Sequence, residues 1–334
     1  MKLKYFFGLV AVLSLFAAVA VAQNNAYRIS APYSHKNLTI FLIHGKDETS
    51  KTNILTLQEA MQRQILRVYE TSDVNELSVE NISKSFDVFI QSGDIVKGGK
   101  QDRVLAVSII IPARSGRIKI EAFCVESGRW QKRGNEDSNQ FGSSNDRIVS
   151  KELKLAANGS RSQQEVWEKV SEAQKKLERT VGAPVVSAQS RSSLQLSLEN
   201  GRVAANAEEY VAKLSNLIAG KSDVIGYAFA INGEINSADI YVSNALFKKL
   251  WTRMLKAAAV EAVAEYNGRS TAHAPAKPDA VRGLIDGANA APAEERATGG
   301  NARIITRDNK DSAVYEARDD KSKTVVHRAY VKKQ

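Results

Sequence analysis

Two short stretches place charged, amide and glycine residues where the surrounding sequence is apolar and β-branched. The first runs Gln91-Ser92-Gly93-Asp94-Ile95-Val96-Lys97-Gly98-Gly99-Lys100-Gln101-Asp102-Arg103, and the second Phe123-Cys124-Val125-Glu126-Ser127-Gly128-Arg129-Trp130. Gly98 and Gly99, flanked by Lys97 and Lys100, have the makings of a backbone nest whose N–H and ammonium groups hold an anion. Arg103 would add a two-pronged grip on phosphate or carboxylate. The spacing is not that of a nucleotide P-loop: Lys100 comes one residue late, and Gln101 stands where a hydroxyl residue would hold magnesium. A tight turn at Gly98-Gly99 with solvated lysines accounts for the same residues. In the second stretch Glu126, Arg129 and Trp130 follow a predicted strand, where binding groups are often presented. A structural Glu126–Arg129 ion pair beside a core Trp130 is the alternative. Cys124 as a nucleophile would need a base close by. His35, His44, His273 and His327 sit in no partner motif, so a buried strand cysteine is expected. His44 near Asp47 and Glu48 lacks a third ligand, and no metal site is expected.

The elements that must position these groups are read from periodicity. Residues 37–44 predict a buried strand and 56–64 a short helix. Residues 65–70, 76–81, 86–91, 103–111 and 117–125 predict β-strands, with 112–116 as a hairpin loop between the last two. Residues 131–147 are polar and predict an exposed loop. Val166, Trp167, Val170, Ala173, Leu177 and Val181 predict an amphipathic helix over 162–181, ended by Gly182 and Pro184. A second helix is expected at 205–219. Asn232-Gly233 between two apolar runs predicts a hairpin, and a third helix spans 244–266. Residues 268–301 are rich in Ala, Pro and Gly and are expected to be partly mobile, with one short helix at 279–288. Strands are expected again at 302–306, 312–317 and 324–331, docked on the main sheet. Together these give an α+β fold: one large domain, mainly antiparallel sheet, covered by several amphipathic helices. Its β-rich part is 27–130, its helical and hairpin part 160–266, and its β tail 302–331.

The chain has 334 residues, 43% of them hydrophobic and 25% charged, which excludes global disorder. Cys124 is the single cysteine, so no disulfide framework exists within the chain. Lys2 and Lys4, the apolar stretch 5–18 and Ala20-Val21-Ala22 read as a signal peptide over 1–22, cleaved after Ala22, with an uncleaved membrane anchor over 5–22 as the alternative. The remaining 23–334 carries 45 basic against 37 acidic groups, or +8. That charge is dispersed without an aromatic-and-basic stripe, so nucleic acid is not expected as a partner. No later stretch is long and apolar enough to span a bilayer. A periplasmic or secreted location follows.

The two stretches together resemble the paired signature of the ARG (ADP-ribosylglycohydrolase) and rhodanese-phosphatase-superfamily-associated domain family. The start of the 162–181 helix, Gln164-Glu165-Val166-Trp167, is similar to a third feature. The helix from Asn244 to Ala262 and the terminal Val325-Val326-His327 are similar to weaker ones, so the resemblance covers about 27–331. It implies one site built from both stretches and names no reaction and no cofactor. The expected function is an exported, non-catalytic binding module for a small phosphate-bearing or ADP-ribose-like anion. Its site would be Lys97, Gly98, Gly99, Lys100, Gln101, Arg103, Cys124, Glu126, Arg129 and Trp130. The alternative is a hydrolase or transferase with Glu126 or Asp94 as general base. The third reading is a structural envelope protein in which both stretches are sheet turns.

Overall fold

The apolar run at 37–44 becomes a strand buried on both faces, and the fold is built outward from it. A computed structural model describes residues 27–51, 53–148, 150–268, 274–300 and 302–333; the expected signal peptide lies outside the described residues, as does part of the Ala/Pro/Gly-rich segment. In chain order the first elements are β1 (Arg28–Ile29), β2 (Tyr33–His35), β3 (Leu38–His44), β4 (Ile54–Thr56), α1 (Leu57–Gln62), β5 (Leu66–Glu70), β6 (Glu76–Asn81), β7 (Asp87–Ile90), β8 (Asp94–Gly98), β9 (Arg103–Leu105), β10 (Ile109–Ile111), β11 (Arg117–Cys124) and β12 (Phe141–Arg147). The helical part follows with α2 (Lys151–Leu155), α3 (Gln163–Val181), α4 (Leu194–Leu198), α5 (Gly201–Leu214), β13 (Val224–Ile231), β14 (Glu234–Tyr241) and α6 (Asn244–Ala264). The last elements are α7 (Pro278–Asn289), β15 (Ala293–Ala297), β16 (Ala302–Asp308), β17 (Ser312–Asp319) and β18 (Val325–Lys332).

This is an α+β fold with mainly antiparallel sheets. A nine-stranded sheet runs β1-β3-β13-β14-β18-β17-β16-β15, with β2 also on β3. Alternate side chains of β3 go to opposite faces. Leu38, Ile40 and Leu42 join the core under α3, α5 and α6, and Phe41 and Ile43 join the core under α7. Burial on both faces explains why β3 and β13 read as continuous apolar runs. A six-stranded sheet, β12-β8-β9-β11-β6-β5, curls until β5 meets β12 again at an antiparallel Tyr69–Gln140 bridge. Its interior holds a second core that includes Leu77, Val79, Val96 and Leu105. A small sheet, β10-β7-β4, joins the two and contains the parallel pair β4–β7.

Several expectations are corrected. The single strand expected at 103–111 is two, β9 and β10, in different sheets, because the chain crosses between sheets at 106–108. Residues 112–116 therefore close no hairpin: β10 pairs β7, whereas β11 pairs β6 and β9. The loop expected at 131–147 ends in a strand, β12, which pairs β8. Its polar Ser144, Asp146 and Arg147 are buried through hydrogen bonds to Gln195, Lys256 and Asp94 rather than through apolar contact. Within 268–301 the short helix expected at 279–288 is α7, and an additional strand, β15, follows it.

His327 is a hydrogen-bonded core residue. Ser108 Oγ lies 2.9 Å from its Nδ1 and Asp239 Oδ1 2.9 Å from its Nε2. These are the distances of a nucleophile–base–acid triad, but the ring is stacked on Tyr241 at 4.8 Å with Phe89 edge-on, and all three residues are buried. Ser108 Oγ also accepts the Ser92 N–H. The triad thus ties the 106–108 crossing segment to the large sheet.

Glu261 on α6 accepts hydrogen bonds from Lys151 N–H and Asn236 Nδ2, both 2.8 Å. Burial pushes its carboxyl above the ordinary range, against the Lys154 ammonium and the Asn236 bond. The folded state holds this proton to higher pH than the unfolded state, so the group costs stability as pH rises above the ordinary carboxyl range. Glu261→Gln keeps an acceptor for both donors. It is expected to raise the urea midpoint at pH 8 and leave it unchanged at pH 4. A lower midpoint at pH 8 would show instead that Lys154 stabilises the charged form.

Candidate functional site

β8, β9 and the end of β11 bring both sequence stretches side by side. Gly98 at φ +107 and Gly99 at φ +56 turn the chain out of β8, and a Cβ on Gly99 would lie 2.3 Å from the Phe141 ring. The turn aims the Gly98 N–H at Asp102 Oδ1, 3.0 Å away. Asp102 also receives both Nη atoms of Arg133, each at 2.9 Å, and the Ser193 hydroxyl at 2.8 Å. Its own N–H donates to Glu126 Oε2 at 2.9 Å. Glu126 is gripped by Arg129, Nε to Oε1 at 2.7 Å and Nη2 to Oε2 at 2.8 Å. Arg129 donates further to the Gly98, Gly99 and Gln131 carbonyls. Gln101 Nε2 donates to the Glu126 carbonyl at 2.8 Å. Two carboxylates and two guanidiniums thus neutralise one another, with Asp102 and Glu126 fully enclosed. Burial works against the Arg133 charge, but its bonds to Asp102 more than offset this and hold the proton above the ordinary arginine range.

Arg103 belongs to a separate group, because neighbouring residues of an extended chain project to opposite sides. Its Nη1 donates to the Val74 carbonyl at 2.6 Å and to Cys124 Sγ at 2.8 Å, and its Nη2 to Glu70 Oε1 at 3.1 Å. Gln163, the first residue of α3, clasps the Cys124 backbone with two 2.8 Å bonds. Burial pushes the Cys124 thiol up to about 11, although Arg103 acts to lower it. The thiol is therefore neutral and enclosed near neutral pH. Ellman's reagent is expected to leave Cys124 untouched in native buffer and to titrate one thiol in denaturant. Rapid native labelling would contradict this placement.

The expected site is thus divided. Gly98, Gly99, Gln101, Glu126 and Arg129 come together around Asp102, while Arg103 and Cys124 meet on the other side of the strand. Lys97 pairs with Glu199 at 2.7 Å, Lys100 reaches the Ser72 hydroxyl at 2.8 Å, and Trp130 is 53% exposed at the surface rather than in the core. Asp94 is paired with Arg147 and Arg253, and His44 with Asp223. Neither carboxylate expected as a general base stands free. Asp102, inside the first stretch, and Arg133, three residues past the second, complete the arrangement without having been singled out, and Glu70 and Ser193 join it from distant parts of the chain.

Behind this knot is an open cleft of about 650 Å³ between residues 127–134 and 189–192. Arg129 and Arg133 form part of its floor, and Lys132 and Arg191 stand exposed in its walls. Lys132 and Arg191 have no ion-pair partner among the described residues, and no Asp or Glu lines the cleft. Ser127 and Ser192 stitch the two walls together, N–H to Oγ at 3.0 Å and Oγ to carbonyl at 2.7 Å.

An α+β domain with a buried ion-pair knot beneath a basic cleft is the class defined by these features. The chain belongs to the ARG and Rhodanese-Phosphatase-superfamily-associated Protein domain family, whose model matches residues 26–331. No curated protein and no solved structure matches it.

Proposed function

We propose that this chain is an exported, non-catalytic binding module for an anionic, phosphate-bearing ligand, ADP-ribose-like molecules included, and that the ligand sits in the cleft between 127–134 and 189–192. The observation that carries the reading is the pair of unpartnered cations, Lys132 and Arg191, in a cleft without a carboxylate. Of the residues expected from the sequence, Arg129 supports the cleft floor and Trp130 offers a ring face close by in the chain. Gln101, Arg103, Cys124 and Glu126 serve the scaffold. The engaged state of Glu126 and Asp94 favours binding over acid–base chemistry. Export rests on the sequence alone, on Lys2, Lys4, the apolar stretch and Ala20-Val21-Ala22.

A ligand that binds only the folded state raises the melting temperature by mass action. Pyrophosphate and ADP-ribose are expected to do so at low salt. The double variant Lys132→Glu with Arg191→Glu is expected to keep its own melting temperature, since both side chains are exposed, and to weaken binding at least tenfold. Equal binding by the variant would place the ligand elsewhere. The absence of any shift in the unaltered protein would favour the structural envelope reading.

A further inference from the structure

Glu261 lines a polar recess that shares no residue with the anion cleft. The recess holds about 340 Å³ between α2, α3, α6 and the β13–β14 turn, and its carboxylates are Glu152, Glu234, Glu261 and Glu265. Glu261 is only 3% exposed. The Lys151 N–H and Asn236 Nδ2 both donate to its Oε1. Its Oε2 accepts no hydrogen bond among the described residues: Lys154 Nζ stays 3.9 Å away and donates to Ser237 Oγ instead. A nearly enclosed carboxylate thus presents one oxygen without a donor, where buried acceptors are normally satisfied.

The other lining groups decide what would satisfy it. Glu265 is paired with Lys176. The carboxylates of Glu152 and Glu234 have no hydrogen-bond or ion-pair partner among the described residues, and Asn232 Oδ1 is enclosed without a donor. Against these acceptors stands one unpaired lining cation among the described residues, Lys151. A ligand that completes the recess must therefore bring N–H donors and positive charge. Among the described residues no three acidic, imidazole or thiol side chains converge closely enough to hold a metal ion, so the cation is organic. The free acceptors run from the enclosed Glu261 to the exposed Glu234, which suits two ammonium groups on a short chain better than one. Local stability does not account for the carboxylate, because an amide at 261 would satisfy the same two donors without a buried charge. Groups kept at a cost to stability are commonly kept for function.

We infer that this recess binds a small aliphatic diamine, with one ammonium on Glu261 Oε2 and the other held by the Glu152 and Glu234 carboxylates. The inference is independent of the anion cleft.

The test is calorimetry of the full chain at low salt with 1,5-diaminopentane, and with 1,5-pentanediol as an uncharged analogue of the same length. The diamine is expected to bind and the diol is not. Glu261→Gln is expected to stay folded and to bind the diamine at least tenfold more weakly. Glu152→Gln with Glu234→Gln changes only side chains without partners, so it is expected to keep the melting temperature and to weaken binding severalfold. The charged groups around Glu261 are Lys151, Glu152 and Lys154 from α2, Lys176 from α3, Glu234 from β14 and Glu265 on α6 itself. Burial among them holds its proton above the ordinary carboxyl range. An ammonium that takes the carboxylate displaces that proton, so affinity is expected to rise from pH 5 to pH 8. The inference is overturned if the diamine at millimolar concentration gives neither heat nor a melting shift, or if Glu261→Gln binds it as the unaltered protein does. It is equally overturned if affinity does not change over that pH range, which would place the amine on other carboxylates.

Discussion

Glu126→Ala is expected to lower the unfolding free energy by about 3–5 kcal/mol, the usual cost of removing one partner from a buried ion pair. Glu126 is fully enclosed and Arg129 nearly so. With the carboxylate gone, Arg129 keeps its three carbonyl acceptors but has no compensating charge in hydrogen-bonding contact. The nearest remaining carboxylate, Asp102, stands 3.7 Å from Arg129 Nη2 and is already held by Arg133. The Asp102 N–H loses its acceptor as well. The damage is not a matter of lost attraction alone, because two charges brought out of water regain little more than their desolvation cost. Replacing both members, Glu126→Leu with Arg129→Leu, should therefore recover part of what Glu126→Ala loses. Urea unfolding at neutral pH measures both variants. A loss below about 1 kcal/mol for Glu126→Ala would mean that the 126–140 segment opens readily to water and that the knot contributes little.

The sequence made the scaffold legible where one element carries its own signal. The stripe from Val166 to Val181 with Gly182 after it appears as α3 closed by a left-handed Gly182. Asn232-Gly233 appears as the β13–β14 turn, and the two strands pair in the expected hairpin. β12 was not legible, because Gly-Ser-Ser-Asn-Asp after Phe141 has the composition of a loop and its burial depends on partners in α4 and α6. The candidate site was legible as chemistry and not as geometry. Lysine, arginine and glycine around a turn have the same local pattern whether they face a ligand or one another. What separates the two cases is distant. Asp102 meets Arg133 after 31 residues and Ser193 after 91, and Arg103 meets Glu70 across 33. Lys132 and Arg191, the two cations left over for the cleft, stand in stretches of ordinary polar composition and become a pair only when Ser127 and Ser192 join the walls.

Arg103→Ala illustrates the consequence, since the residue reads as an anion contact in the sequence and is wholly enclosed in the fold. The substitution is expected to cost about 3–5 kcal/mol through the Glu70 charge left without its partner, with the Val74 carbonyl also losing a donor and the void left by the side chain adding to the loss. Arg103→Lys retains a charge but not the planar fork that reaches Val74, Cys124 and Glu70 together, so it is expected to recover only part of the stability. Arg103→Met with Glu70→Gln removes both charges and should lie closer to the unaltered protein than Arg103→Ala does. Because Arg103 and Asp102 project to opposite sides, these variants leave Arg129, Arg133 and the cleft charges in place. Any Arg103→Ala protein that remains folded is therefore expected to bind pyrophosphate as the unaltered protein does. An Arg103→Ala protein of undiminished stability that no longer binds pyrophosphate would return Arg103 to the ligand and place the anion on the other side of β9.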